Sequence, residues 1–366
     1  MIIKIVKPSQ DPYFICLPVY FYQDSEYVSN LFMIIELILY TFCFYILSIK
    51  LKIYLKIRVY HRNFVILTTF VFALWYEAVL AKLITMAYQM KIIYPGFEIG
   101  EHVAMWTKNP KKMLTLESLD GLELLLLAGF LEWHYIFSVI FGGVAVCIER
   151  VVASMWIKDY EKNTGFHIPL ILSLVTQCLV FFVSFQVFFD RLNIVAANLI
   201  WIISCVLAST MHFMIKKTNK DWMRKMSDPR RLDVFTISQQ FQVKENLRAV
   251  ALSEKLLHSL FVVVAIGGLG IVVLILELVP PFFCHFLENI VFLNPYLVCF
   301  ITMYSHPTWK AEFKNALNAL PSFNIVRRAP KVRGLESVDP MDESIVKKDS
   351  VMETDLHFQQ LNNTWI

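Results

Sequence analysis

The chain contains 366 residues, of which 57% are hydrophobic and only 17% are charged, with a formal net charge of +4. Soluble proteins average about 45–50% apolar and about 25% charged residues, so this composition excludes an ordinary soluble enzyme, a disordered protein and a fibrous repeat. The small net charge gives no reason to expect a nucleic-acid partner. The composition therefore indicates a polytopic membrane protein surrounded by membrane lipid.

Seven segments are long and apolar enough to cross a bilayer as helices, because a crossing needs about 20 residues with a range of about 17–25. Strands of a membrane β-barrel would instead alternate in polarity over about ten residues. The predicted fold class is an all-α membrane protein, a seven-transmembrane helix bundle with no soluble domain. In chain order, the predicted spans are residues 30–49, 64–85, 122–148, 168–189, 193–215, 260–279 and 282–304.

Basic residues in the connecting segments predict the orientation, since cytoplasmic segments are rich in lysine and arginine. The connection between the first two spans, residues 50–62, has five basic residues, and the long connection before the sixth span, residues 216–258, has ten. This places the amino terminus outside and the carboxyl terminus inside. Residues 1–29 are then an extracellular amino-terminal segment, and residues 30–304 form the transmembrane domain.

The chain beyond the seventh span divides into two parts. Residues 305–320 contain Trp309, Phe313 and Leu317 at helical spacing, which predicts a short interfacial helix on the inner leaflet. The alternative is a frayed end of the seventh span. Residues 321–366 combine both signs of charge with few large apolar side chains, and this composition predicts a disordered cytoplasmic tail.

The seven cysteines do not form a secreted disulfide framework, because their number is odd and most lie inside apolar stretches. Cys16 and Cys284 are the two that we expect on the oxidising outer side. A disulfide between Cys16 and Cys284 is therefore one hypothesis. The alternative is that Cys284 lies just inside the membrane.

Ionisable side chains inside a span are costly, by about 2.5–3.5 kcal/mol at the helix centre on insertion scales, so each needs a partner or a function. Lys82 and Glu123 lie near outer helix ends, where we expect them to reach the interface. Glu277 and Glu288 flank the third outer loop, where we expect hydration.

The ionisable residues that remain within the predicted spans are the candidate ligand contacts, with structural polar packing as the alternative for each. Two of them lie close together on the third span, but side chains two residues apart project about 200° from one another around a helix. These two are therefore expected to face different neighbours. The four candidates are Glu36, Glu77, Glu132 and His134.

No pattern typical of an enzyme is present. The sequence has no Walker loop, no HExxH motif, no paired-cysteine zinc spacing and no Gly-x-Ser-x-Gly motif. His285 and Glu288 form one i, i+3 pair, which is a poor metal site because zinc needs three or four protein ligands. The seventh span has no lysine for a retinal Schiff base. We therefore expect no enzymatic activity, no metal and no cofactor.

Three motifs carry a resemblance to a known family. The third span ends in Glu149-Arg150, which is followed by Val-Val-Ala-Ser and then by Asp-Tyr-Glu-Lys at residues 159–162. Residues 241–246 read Phe-Gln-Val-Lys-Glu-Asn, and residues 306–309 read His-Pro-Thr-Trp. Together with the spacing of the spans, these motifs resemble the nematode chemoreceptors called serpentine receptor class epsilon, over residues 30–320.

The resemblance implies a chemosensory G-protein-coupled receptor, a multi-pass protein of the plasma membrane or of the sensory ciliary membrane of chemosensory neurons. It also implies a small-molecule ligand in the outer half of the bundle and activation of a heterotrimeric G protein. The competing function is a ligand-gated channel or carrier, which would favour the opposite topology or a polar stripe through the spans.

The resemblance further implies a signalling switch formed by Glu149 and Arg150, together with Asn294 and Pro295 in the seventh span. The alternative for the first pair is an ion pair that marks the membrane boundary. We expect Arg150 to be exposed there, paired with Glu149 or with an acid near the sixth span such as Glu245 or Glu254. An exposed pair contributes only about 0–1 kcal/mol to stability.

Overall fold

The structure, a computed structural model, describes residues 1–7, 11–21, 26–104, 107–156, 167–226, 237–276, 278–280 and 282–319. Its regular elements in these residues are ten α-helices, one 3₁₀ helix at Pro110–Lys112 and three short β-strands. Four features of the sequence analysis lie outside the described residues: the Asp-Tyr-Glu-Lys motif, Glu277, the end of the predicted interfacial helix at Leu320, and the tail from residue 321.

Seven helical stretches of the described chain are long and apolar enough to cross a membrane, which confirms the predicted seven-helix fold. The first span is α1, the second is α2 with α3, the third to sixth are α4 to α7, and the seventh is α8 with α9. The helices are α1 (Glu26–Lys56), α2 (Arg62–Ala73), α3 (Trp75–Gln89), α4 (Glu123–Met155), α5 (His167–Phe188), α6 (Ile194–Met226), α7 (Ile237–Ile275), α8 (Phe283–Phe292), α9 (Asn294–Met303) and α10 (Pro307–Asn318).

The second and the seventh spans are each broken near the middle. The second span breaks at Leu74, between α2 and α3, and the seventh breaks at Leu293, between α8 and α9. Pro295 explains the second break, because proline has no N–H to donate to the carbonyl four residues earlier. The two breaks bring irregular backbone to the centre of the bundle.

The fifth and sixth spans extend well beyond their apolar parts. Much of the predicted connection at residues 216–258 is helical, since α6 continues to Met226 and α7 begins at Ile237. Neither helix contains a proline, and no glycine occurs before residue 267 of α7, so nothing in the sequence ends the helices at the membrane boundary. The Phe-Gln-Val-Lys-Glu-Asn motif is therefore helical.

A small β-sheet covers one end of the bundle. Its strands are β1 (Ile2–Ile5), β2 (Tyr13–Cys16) and β3 (Leu114–Leu116), in the order β2-β1-β3. Strand β1 is antiparallel to β2 and parallel to β3. We call this sheet, together with residues 17–21, the cap. The end of the bundle that it covers is called the cap end, and the opposite end is called the Arg150 end.

The chain after the seventh span forms a separate helix, α10, rather than a continuation of α9. The side chains of Trp309 and Phe313 on α10 are fully buried. Trp309 donates a hydrogen bond from Nε1 to the carbonyl oxygen of Ile57 at 3.0 Å. This contact packs α10 against the end of α1, while its position in the lipid interface stays a prediction.

Candidate functional site

Four buried ionisable side chains meet near the cap end, between the first, second and seventh spans. Nζ of Lys82 lies 2.7 Å from Oε1 of Glu288 and 3.4 Å from Oε2 of Glu36. Nδ1 of His285 lies 2.9 Å from Oε1 of Glu36, which also accepts a hydrogen bond from Asn289 at 2.6 Å. We call Glu36, Lys82, His285 and Glu288 the charge cluster, and no member is more than 4% exposed.

Glu132 brings the third span to the charge cluster. Its side chain is fully buried, and its Oε1 accepts a hydrogen bond of 3.1 Å from the hydroxyl of Thr85. Thr85 lies one helical turn from Lys82 on α3, so both residues share a face of that helix. Oε2 of Glu132 has no hydrogen-bond partner among the described residues. A third carboxylate therefore lies beside the single lysine.

Two expectations for this region were wrong. Lys82 does not reach the interface, and Glu288 is not hydrated, because the two form an ion pair inside the bundle. The seventh span begins at Phe283, so Glu288 lies more than a full turn into the helix. Glu123 is exposed in the first turn of α4, in agreement with the prediction.

The four candidate ligand contacts separate into two places. Glu36 and Glu132 lie at or beside the charge cluster, whereas Glu77 and His134 form a pair of their own, with 2.7 Å between Oε1 and Nδ1. Glu132 and His134 therefore have different partners, as their angular separation on the helix predicts. The pair of Glu77 and His134 is partly exposed, whereas Glu36 and Glu132 are buried.

The cap closes the bundle above the charge cluster. Trp133 donates a hydrogen bond of 2.9 Å to the carbonyl oxygen of Cys16, and Gln89 donates one of 2.8 Å to that of Tyr20. Leu17 packs so closely on Gly129 that a Cβ atom added there would lie 2.5 Å from a Leu17 methyl carbon. A side chain at position 129 would therefore require Leu17 to shift.

The space left beneath the cap is small. A cavity of about 30 Å³ remains beside Glu288, lined by Pro18 and Tyr20 of the cap and by Trp133. A single water needs about 10–15 Å³ of such space. The cavity can therefore hold a water or two.

Both cysteines of the predicted disulfide are buried near the cap. Cys16 is 3% exposed and Cys284 is 1% exposed. Burial raises the pKa of the Cys16 thiol to about 11, which keeps this thiol protonated and slow to oxidise at neutral pH. The pairing of Cys16 with Cys284 stays a prediction.

The two helix breaks join the second, third and seventh spans at mid-bundle. Trp75 follows the break in the second span and donates a hydrogen bond of 2.6 Å to the carbonyl oxygen of Phe292, at the break in the seventh. The hydroxyl of Tyr135 donates to Oδ1 of Asn294 at 3.3 Å. Asn294 and Pro295 thus lie at a break where Trp75 binds the backbone of the seventh span and Tyr135 binds the side chain of Asn294.

Arg150 forms a buried network at its end of the bundle. Its guanidinium donates two hydrogen bonds to the carboxylate of Glu149, at 2.5 and 2.6 Å, and a third of 3.0 Å to Oδ1 of Asn246 on the sixth span. The guanidinium carbon also lies 4.7 Å from the centre of the Phe64 ring. Arg150 therefore links the third span to the second and sixth spans.

The expectation that Arg150 is exposed was wrong: the exposed fraction is 2% for Arg150 and 0% for Glu149. The reason is the length of α7, which continues as a helix past the apolar part of the span and covers the pair. Of the two acids proposed as partners, Glu254 instead binds Lys216 at 2.8 Å. Glu245 accepts a hydrogen bond from the backbone N–H of His61.

The neighbours of Arg150 extend the network to the fifth span and to the turn before α2. The hydroxyl of Ser154 donates to the carbonyl oxygen of Arg150, and Nδ2 of Asn219 on the fifth span donates to that hydroxyl at 2.8 Å. Burial, together with the nearby charge of Arg150, lowers the pKa of His61 to about 4. His61 is consequently neutral at physiological pH and adds no second positive charge beside Arg150.

Sequence reasoning missed Asn246 and Trp75, which make two of the hydrogen bonds that join spans. Asn246 lies in the connection that the sequence placed before the sixth span, and the helical spacing of Gln242, Asn246 and Ala249 was the available signal that one face of this segment is buried. For Trp75 no sequence signal exists, because the carbonyl it binds belongs to a residue 217 positions later.

Comparisons with known proteins cover the whole chain. The family model described as "Sre G protein-coupled chemoreceptor" matches residues 1–366. The chain is 43% identical over 354 residues to serpentine receptor class epsilon-29 of Caenorhabditis elegans, covering 96% of this chain and 98% of that protein. It is 42% identical over 366 residues to serpentine receptor class epsilon-32 of the same organism, with both chains covered completely.

Proposed function

Because the chain belongs to the Sre family of G protein-coupled chemoreceptors, we propose that it binds a small chemical ligand at the charge cluster and activates a heterotrimeric G protein at the Arg150 end. The family is one of membrane chemoreceptors rather than of enzymes, and the seven spans fit a multi-pass membrane protein. The observation that carries the proposal is the group of buried carboxylates beneath the cap.

In the proposed orientation, the cap end faces the outside and the Arg150 end faces the cytoplasm. The support is the distribution of basic residues, since residues 50–62, between the first and second spans, lie at the Arg150 end and contain five of them. A glycosylation sequon engineered near Ser25 is then modified, and one engineered at residues 227–236 is not. The reverse pattern would overturn the orientation.

The charges of the site favour a ligand with a protonated nitrogen. Glu36, Glu132 and Glu288 are three carboxylates beside the single lysine of the site, Lys82. Oε2 of Glu132 and Oε2 of Glu288 have no hydrogen-bond partner within the described part of the chain. A buried polar group is costly unless it is hydrogen-bonded, so a cationic group that donates hydrogen bonds has two acceptor oxygens ready in this site.

Ligand entry requires displacement of the cap, since the cavity of about 30 Å³ beside Glu288 is too small for an organic amine. A ligand that binds the cap-open receptor more tightly than the cap-closed receptor shifts the population towards the open state. The cap contacts α4 through Leu17 and Trp133. Its release therefore acts first on the third span, which also carries Tyr135 and Arg150.

The polar contacts along the third span provide the route to the opposite end. Tyr135 contacts the break in the seventh span through Asn294, and Arg150 contacts the sixth span through Asn246. We expect the active state to separate Arg150 from Asn246, so that the sixth span moves and the guanidinium contacts the G protein. Ligand binding and G-protein binding would then both favour the same position of the sixth span.

A ligand screen with matched variants tests the site. Cells that express the receptor with a calcium reporter are exposed to a panel of small amines, alcohols and carboxylates, and surface expression is measured in parallel. We expect a saturable response to an amine, which Glu132→Gln shifts to at least tenfold higher concentration. Glu123→Gln, an exposed acid of the same helix, is the matched control and should respond like the wild type.

Two results would contradict the proposed site. One is an unchanged dose-response curve for Glu132→Gln at equal surface expression. The other is a response to carboxylates rather than amines that requires Lys82, because it would assign recognition to the lysine instead of the acids.

A further inference from the structure

A cavity of about 130 Å³ lies in the half of the bundle towards the Arg150 end. Its walls come from the first, second, third, sixth and seventh spans. Apolar side chains form most of this lining, including Phe72, Val139 and Leu260, and no carboxylate of the described residues belongs to it. The cavity is separate from the charge cluster, none of whose members lines it.

Lys50 is the charged residue of this lining. Its side chain is fully buried, and its Nζ has no hydrogen-bond partner among the residues that the structure describes. The ammonium group lies 2.9 Å from the centre of the Phe72 ring. Attraction between a cation and a ring face offsets only part of the cost of removing the charge from water.

A comparison with Lys82 shows what Lys50 lacks. Both lysines are buried within a span, but Lys82 has the carboxylates of Glu36 and Glu288 as partners. For Lys50 the described residues supply an aromatic ring and no acid. A buried lysine that has no acid beside it, at the wall of an apolar cavity, has the arrangement of half an ion pair, whose other half is an anion brought by a ligand.

We propose that this cavity is a second binding site, which takes an anionic amphiphile with its head group on Lys50 and its apolar body against Phe72, Val139 and Leu260. The size of the space limits the part of the ligand that enters. An engineered cavity of about 150 Å³ binds benzene, so 130 Å³ accommodates an apolar segment of about six carbons.

The site is accessible from the bundle surface. Leu297 lines the cavity and is nevertheless 44% exposed, so an acyl chain can enter beside the seventh span. Two sources have the required chemistry: a free carboxylic acid, or an anionic phospholipid that inserts part of one chain. Since Asn294 and Pro295 also line the cavity, an occupant touches the break in the seventh span and can bias its conformation.

The test uses the full-length receptor in nanodiscs of phosphatidylcholine, with radiolabelled octanoate as the probe and octanol as its uncharged counterpart. Lys50→Met keeps the length of the side chain and removes the charge, while Lys50→Arg keeps the charge. Lys52→Met is the matched control, because Lys52 is exposed on the same helix. A second set of nanodiscs contains phosphatidylglycerol, and thermal unfolding is followed in both sets.

We expect saturable octanoate binding that weakens at least tenfold in Lys50→Met and is unchanged in Lys52→Met and Lys50→Arg, with octanol binding at least tenfold weaker than octanoate. Phosphatidylglycerol could instead stabilise the wild type more than Lys50→Met and block the binding of octanoate. That result would support the proposed site and identify the phospholipid as its occupant.

The proposal is overturned if octanoate binds Lys50→Met as tightly as the wild type, or if neither octanoate nor phosphatidylglycerol has an effect that depends on Lys50. These measurements need no signalling readout. The proposal of a second site can therefore be refuted without refuting the proposed receptor function, and the receptor function can be refuted without refuting the second site.

Discussion

The indole nitrogen of Trp75 donates a hydrogen bond of 2.6 Å to the carbonyl oxygen of Phe292, and this bond joins the breaks of the second and seventh spans. Tyr296 donates its backbone N–H to Leu293 instead of Phe292, which leaves the Phe292 carbonyl available to the indole. The ring of Trp75 is also stacked on Tyr40 of the first span, with 6.3 Å between the centres. Trp75 thus links three spans midway between the two ends of the bundle.

Replacing Trp75 tests the importance of this hydrogen bond. Trp75→Phe leaves a buried carbonyl group without its donor, which costs about 1–3 kcal/mol, so we expect a lower thermal unfolding midpoint in nanodiscs. Trp201→Phe is the matched control, because the indole nitrogen of Trp201 has no partner among the described residues. Equal midpoints for the two variants would show that the Trp75 bond contributes nothing.

The hydrogen bond between Arg150 and Asn246 is expected to hold the sixth span in the resting position. Asn246→Ala removes this bond and leaves the pair of Arg150 with Glu149 in place. We expect increased basal G-protein activation at equal surface expression, measured by energy transfer between Gα and Gβγ. Lys244→Ala, an exposed position on the same helix, should leave basal activation unchanged. A basal level for Asn246→Ala at or below that of the wild type would argue against the restraint.

Because Arg150 and Glu149 are buried rather than exposed, Arg150→Ala is expected to destabilise the protein. Removing one partner of a buried ion pair leaves an uncompensated charge and costs about 3–5 kcal/mol, so we expect much reduced surface expression. Replacing both residues removes both charges, and Glu149→Ala/Arg150→Ala should restore part of the surface level, as flow cytometry can measure. Normal surface expression of Arg150→Ala would instead support the exposed pair inferred from the sequence.

The proposed displacement of the cap can be tested with an engineered disulfide. A Cβ atom at position 129 would lie 3.2 Å from Cβ of Leu17, close to the range of about 3.5–4.5 Å found in disulfides. The variant Leu17→Cys/Gly129→Cys should therefore lose its ligand response when oxidised and regain it after mild reduction. Each single cysteine variant is a control and should be insensitive to the reductant. A full response from the cross-linked receptor would mean that the ligand enters without moving the cap.

The sequence predicted the seven spans correctly because membrane crossing depends mainly on the length and polarity of a local segment. The same local information failed for Lys82 and Glu288. Their positions near span ends suggested that both side chains are hydrated. Both are instead buried, because they pair with each other and lie beneath the cap, and these partners are distant in the sequence. The cap strands, with three or four residues each, are too short to produce a periodic signal.

At the Arg150 end, the sequence identified the residues but not their surroundings. The pair of Glu149 with Arg150 was found from adjacent positions, whereas its burial follows from the extension of α7 beyond the apolar stretch. Lys50 illustrates the same limit, because a lysine near a span end is expected to reach the interface. Its enclosure depends on packing among five spans, which no single segment encodes.

The most direct test of the receptor function is ligand-evoked dissociation of Gα from Gβγ, recorded together with whole-cell current in cells that express this chain. A receptor should produce saturable dissociation with an active amine, and the current should disappear when G-protein signalling is blocked. A ligand-evoked current that persists without G-protein signalling, with no dissociation of Gα from Gβγ, would contradict the account and favour a ligand-gated channel.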